Sequence, residues 1–190
     1  MSWITNMIGC SGSNMDMVAP LPRELHVARE PREPISVFLA GSCNPTTWRK
    51  DIAIPFFEKH GIAYYNPQVD NWDTSLIEKE AKAKDRATTI LFVIDEGTRA
   101  IASMIEAAYY AGLGRDMDIV VMNYTSQLPS GEVSKEVALT LLEESNDNNR
   151  GRAYLLDMIK RSPNVRLHTT IEDACSSFNK RAQNQSESYK

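Results

Sequence analysis

Two carboxylates in this sequence, Asp95 and Glu106, stand where acid–base or nucleophilic chemistry would want them, next to apolar segments that can shield them from bulk water. Asp95 opens the run Asp95-Glu96-Gly97-Thr98, directly after Thr89–Ile94, the most apolar run in the chain. Glu106 lies in the helical pattern that follows, beside Ile101, Met104, Ile105, Ala108 and Gly112. A carboxylate at the rim of a buried face costs free energy unless it is paired or put to use. An ordinary solvent-facing helix glutamate is the competing assignment. Glu80 belongs to the charge-rich stretch from Glu78 to Arg86, for which a solvated face with ion pairs between neighbouring turns is the default.

The segments around these acids carry polar groups of the kind that line a small-molecule pocket. Gly41-Ser42-Cys43-Asn44-Pro45-Thr46-Thr47 runs from a strand into a helix start, with Arg49 in the first turn. Free amide donors and the helix dipole there suit an anion, although a capped turn with nothing bound fits equally well. The loop is neither a Walker loop nor a GxGxxG, so nothing supports ATP or NAD chemistry. Trp48 and Trp72 flank the same region, where a Trp face can stack on a base or simply pack. Cys43 has no His or Asp near it in sequence to activate it, and reads as lining.

Strand and helix signals alternate five times to position these residues. Ile35–Ala40 reads as a short strand, and a helix runs from Thr46 or Thr47 to Lys59. Ile62–Tyr65 is a second strand, followed by a charged helix over Thr74–Arg86. Thr89–Ile94 reads as a doubly buried central strand, and a helix covers about Arg99–Leu113, with its apolar stripe inward. Asp118–Met122 is a fourth strand. One or two helices between Glu132 and Arg161 are expected to break at Asn146–Arg150. Val165–His168 and a helix from Ile171 to about Asn179 complete the pattern. This alternation predicts an α/β protein, a three-layer α/β/α fold with a five-stranded parallel sheet of flavodoxin- or Rossmann-like type. Ligands in such folds sit beyond the carboxyl ends of the strands. Gly41, Ser42, Cys43, Asn44, Asn66, Gly97, Thr98 and Asn123 all fall there.

The 190 residues suffice for one domain, expected over residues 35–179. Residues 1–34, punctuated by Pro20, Pro22, Pro31 and Pro34, read as a flexible arm, and residues 180–190 as a disordered polar tail. A net charge of -4 argues against binding a nucleic acid polymer. Cys10, Cys43 and Cys175 are far apart, and no Cys/His cluster has metal-ligand spacing, so reduced thiols, no metal and no cofactor are expected. The sequence shows no membrane-length apolar run and no secretory start, and its second residue is Ser2 rather than the glycine that myristoylation needs. A cytoplasmic protein with no membrane partner is the resulting expectation.

Four pieces of this sequence together resemble nucleoside 2-deoxyribosyltransferases, especially the nucleoside 2-deoxyribosyltransferase-like branch. They are Val37–Ser42, Tyr65-Asn66-Pro67, Leu91–Thr98 and Ile105–Gly112. The related deoxynucleoside monophosphate N-glycosidases are similar too, and the resemblance spans about residues 35–125. It implies that Glu106 is the nucleophile, with Asp95 and Glu80 as further acids. The implied substrate is a nucleoside or nucleotide held by Gly41, Ser42, Cys43, Asn44, Asn66, Trp72, Gly97, Thr98 and Asn123. It also implies a homo-oligomer, in which Asn123-Tyr124 or the arm completes a neighbour's pocket. Cleaving an N-glycosidic bond passes through an oxocarbenium-like state that a carboxylate can stabilise or trap. Water then gives hydrolysis, and a second base gives transfer. Phe38 stands where relatives often carry tyrosine, and Glu80 where they usually carry aspartate. The stretch from Thr98 to Glu106 is longer than in standard transferases. These departures suit a diverged enzyme, or a catalytically inactive nucleotide-binding or protein-interaction scaffold. A hydrolase of another N-ribosyl compound, such as a nicotinamide dinucleotide, is a third alternative.

Overall fold

The computed structural model describes residues 36–69, 71, 73–126 and 133–187. The expected arm and Trp72 lie outside the described residues. Short runs rich in Val, Ile, Leu and Phe form five strands: β1 (Ser36–Gly41), β2 (Ala63–Tyr65), β3 (Thr89–Ile94), β4 (Met117–Val121) and β5 (Val165–His168). All pair in parallel in the order β2-β1-β3-β4-β5. A π-helical stretch (Arg49–Ala53) runs into α1 (Ile54–Lys59). It is followed by α2 (Ser75–Arg86), α3 (Ile101–Gly112), α4 (Lys135–Lys160) and α5 (Ile171–Glu187).

Alternation along the strands builds two cores, one on each face of the sheet. Val37, Leu39, Leu91 and Val93 pack with Phe57 of α1 and Phe178 of α5. Phe38, Ile90, Phe92 and Ile94 pack with Tyr110 of α3 and Leu155 of α4. This is the three-layer α/β/α fold expected, with β3 in the interior and all six of its residues buried. Burying each large apolar side chain contributes about 1.5–3 kcal/mol, so β3 is the strand the fold can least spare. The strand order reverses between β1 and β3, and the crevice above that point is where such sheets bind ligands.

β4 departs from the apolar pattern on the α5 face. Asp118 is fully buried there and accepts from Arg166 of β5 at 3.1 and 2.7 Å, from Arg181 of α5 at 3.3 and 2.7 Å, and from Ser177 at 3.0 Å. His168 Nε2 lies 2.6 Å from the same carboxylate. Burial pushes the Asp118 carboxyl up, but the hydrogen bonds and charges of the two guanidiniums outweigh it and hold it below the ordinary carboxylate range.

Three expectations need correction. The inward face of α3 is formed by Ala107, Tyr110 and Ala111, while Ile101 and Ile105 are exposed. Glu106 is the one charged residue in α3, so the helix is apolar all round and its periodicity cannot say which side faces the sheet. The predicted break at Asn146–Arg150 is absent, because α4 continues through it. Side-chain hydrogen bonds hold these poor helix formers in place. Asn149 caps both backbone groups of Tyr124, at 2.7 and 3.0 Å, and Asn148 Nδ2 donates back to the Glu144 carbonyl at 3.0 Å. α5 runs on past Asn179 to Glu187, so the expected tail is helical in its first part.

Candidate functional site

The loops that leave β1 and β3 meet where the strand order reverses. Gly41 sits at φ +114°, and a Cβ there would lie 2.1 Å from the Val93 carbonyl oxygen, so only glycine lets the two strands close at this point. Ser42 is buried and ties the loops together. Its hydroxyl accepts from the Asp95 amide at 2.9 Å and from the Thr98 hydroxyl at 2.7 Å. Its carbonyl accepts from Trp48 Nε1 at 3.0 Å and from Arg49 at 2.8 Å.

Two buried arginines then satisfy carbonyls that the strand ends leave without ladder partners. Arg49 donates to the carbonyls of Leu39, Gly41 and Ser42 at 3.0, 3.1 and 2.8 Å. Arg152 of α4 donates to Met122, Asp95 and Thr98 at 2.8, 3.1 and 2.6 Å. Burial draws both guanidiniums below the usual arginine value. Arg49 is therefore an internal strut of the loop, with its donors turned onto carbonyls. Ala100, which follows the clamped loop and caps α3, adopts a left-handed conformation with φ 50°. A residue with a Cβ is held there at a cost of about 1–2 kcal/mol.

Two of the three candidate acids meet through a third residue. The Lys84 ammonium donates to Glu106 at 2.8 Å and to Glu80 at 3.3 Å. The lysine side chain is 2% exposed, that of Glu80 22% and that of Glu106 42%. Sharing one ammonium, the two bonded carboxylate oxygens can be no more than about 6 Å apart. Asp95 is engaged differently: its carboxylate accepts from the Gly97 amide at 2.7 Å and closes the turn after β3.

Residues 34–124 match the family model described as nucleoside 2-deoxyribosyltransferase like. The resemblance read from the sequence holds over that span. A conserved protein from Enterococcus faecalis V583 has a similar fold, with a TM-score of 0.50 at 16% identity, over 78% of this chain and 99% of that one. A 2-deoxyribosyltransferase from Bacillus psychrosaccharolyticus superposes with a TM-score of 0.38 at 15% identity, over 63% of this chain and 95% of that one. No match is found among curated proteins.

Within the matched segment the other candidates occupy the loop rims. Cys43 is exposed, with its Sγ 3.6 Å from the Gly41 carbonyl oxygen. Asn44 accepts from the Gln68 side chain at 2.8 Å, and Asn66 accepts from the Gln68 amide at 3.1 Å, which joins the first two loops. Gly97 and Thr98 are partly buried in the clamped loop, and Asn123 is exposed beyond β4. Trp48 is buried beneath the first loop, against the Arg49 guanidinium. A separate cleft of about 510 Å³ lies between α2 and the β1–β2 edge, where Lys79, Lys82 and Arg86 face Tyr64 and Tyr65. No candidate acid lines it. Among the described residues, no helix is long and apolar enough to cross a membrane.

Reading the sequence missed Lys84 and Arg152. Lys84 had one usable signal, its position four residues after Glu80. Arg152 had none, because its partners are backbone carbonyls from two distant loops.

Proposed function

We propose that this protein acts on the N-glycosidic bond of a (deoxy)nucleoside or nucleotide, cleaving it or passing the sugar to a second base, with Glu106 as the nucleophile. The observation that carries this reading is the half-open Glu106 carboxylate. It is paired with a buried ammonium, stands beside a second carboxylate, and lies in the family-matched segment. In the proposed step a Glu106 oxygen bonds to the anomeric carbon, the carbon–nitrogen bond breaks, and its electron pair leaves with the base. Glu80 or Asp95 supplies the proton that the departing nitrogen needs, or holds the sugar hydroxyls. Water or a second base then attacks the anomeric carbon and frees Glu106. Gly41, Ser42, Cys43, Asn44, Asn66, Gly97, Thr98 and Asn123 form the substrate-facing loops in this reading.

We also infer that two copies of the chain assemble through α3. Ile101, Ile105, Tyr109 and Leu113 form a row four residues apart, each 55–66% exposed. Such a ridge can pack into its own copy about a two-fold axis. Four large exposed side chains in one row make a contiguous apolar patch of the kind that marks an interaction site.

The test is a panel of nucleosides and nucleoside monophosphates, with free base followed by chromatography. Wild-type protein should release base from at least one of them, and Glu106→Gln should lose at least about a thousandfold in kcat while staying folded. Full activity in folded Glu106→Gln would move the nucleophile elsewhere. Nucleotide binding without base release would favour the inactive scaffold, a reading consistent with the Asp95 carboxylate's engagement in its own turn.

A further inference from the structure

We propose that Lys84 is a positioning residue of this site, gathering Glu80 of α2 and Glu106 of α3 onto one ammonium and so fixing the Glu106 carboxylate for attack. This rests on the reading of Glu106 as the nucleophile. The placement of Lys84 is hard to explain by helix packing alone. α2 is twelve residues long, and Lys84 is its one buried residue. Lysine is almost never fully buried unless paired, and here both partners are candidate acids, one on another helix.

The surroundings hold the ammonium in place. Arg115, in the connection between α3 and β4, donates at 2.7 Å to the carbonyls of Lys84 and Ala87, and so fixes the end of α2 from which the lysine springs. The nitrogen then lies 4.9 Å from the Phe38 ring centre and 6.0 Å from that of Tyr110, distances at which ring faces attract a cation. The hydrogen bond that reaches Glu106 comes from Lys84 of α2, at 2.8 Å. A compact ammonium with three rotatable donors can serve two carboxylates at once. Without it two like charges face each other and Glu106 is free to change rotamer.

Two measurements test the proposal. In the base-release assay Lys84→Met should lower kcat by about ten- to a hundredfold, the range expected for a reacting group displaced by about 1 Å, with KM changed less than threefold. Lys84→Arg should recover part of the loss, because it keeps the charge with a different donor geometry. Lys84→Gln, which keeps a donor without the charge, serves as the second variant if Met does not fold. A kcat within twofold of wild type, or a loss wholly in KM, would overturn the proposal. Independently of turnover, a double-mutant cycle of Lys84→Met with Glu106→Gln should show non-additivity of at least about tenfold in the unfolding constant. If wild type releases no base, the functional reading fails, and the cycle alone then judges the contact. Coupling below twofold removes the tie itself.

Discussion

Replacing Arg152 with methionine probes how a distant helix sets up the site. Methionine keeps most of the buried stem and removes the guanidinium of a residue that is 1% exposed. Hydrogen bonds to Met122, Thr98 and Asp95 at 2.8, 2.6 and 3.1 Å disappear, with a longer one to the Arg99 carbonyl at 3.5 Å and the contact over the Tyr124 ring at 5.4 Å. Hydrogen bonds from a charged donor contribute about 1.5–3 kcal/mol each. The lower figure applies, since water can reach part of the loop and the bonds are not additive. The expected loss is therefore about 3–4 kcal/mol, within the roughly 5–15 kcal/mol that domains have, so the variant still folds. Urea unfolding followed by circular dichroism should show a lower midpoint at an unchanged slope. Base release, measured well below the unfolding transition, should fall about tenfold in kcat, because the freed loop leads straight into α3. Arg152→Lys should lie between the two, since one ammonium cannot span three carbonyls. A stability loss under about 1 kcal/mol would refute the carbonyl-clamp account. A destabilised variant with wild-type kcat would show that the loop does not position Glu106.

Acid should weaken the fold through Asp118. Its folded pKa is lowered, so its contribution is complete above the ordinary value of 3.8 and is lost as pH falls through the lowered one. The groups facing it are Arg166 and His168 from β5, and Ser177 and Arg181 from α5. Asp118→Asn should cost at most about 3 kcal/mol at neutral pH, the low end for breaking a buried pair, since Arg166 keeps Asp116 at 2.7 Å and both guanidiniums are partly exposed, and should flatten the acid limb of a urea-midpoint series from pH 7 to pH 2; an unchanged limb would count against it. For the assembly, sedimentation at micromolar concentration should show a dimer or larger species, and Ile101→Lys with Tyr109→Glu should weaken it by about a hundredfold or more. A monomeric wild type, or a double variant that assembles unchanged, would remove α3 as the interface.

The sheet was legible because its signal is local. Thr89–Ile94 could be read as the central strand from its apolar run alone, and the structure buries all six residues. Patterns failed where the deciding partner lies far away in sequence. The run Asn146–Arg150 has the composition of a loop, yet it is helical because Asn149 and Arg152 bond to carbonyls more than twenty residues upstream. The orientation of α3 was illegible for a different reason: a helix with apolar residues on every side carries no stripe to read. For the site, the placement of Glu106 beside Glu80 could be anticipated only through the family resemblance. The ammonium between them comes from a stretch whose composition suggests a solvated face.

If Glu106 is the nucleophile proposed above, small errors at the start of α3 are amplified at its carboxylate. Glu106 lies six residues beyond Ala100, roughly 9 Å along a helix rising 1.5 Å per residue. A tilt of about 10° at the left-handed hinge would therefore carry the carboxylate about 1.5 Å sideways. Catalytic groups tolerate only about 0.5 Å before rates fall. Arg152 and the Ser42–Thr98 bond limit that tilt from one end, while Lys84 holds the acid itself from the other. The two restraints act on different freedoms, helix angle and side-chain rotamer. Neither can replace the other, and a site holding Glu106 to catalytic tolerance needs both.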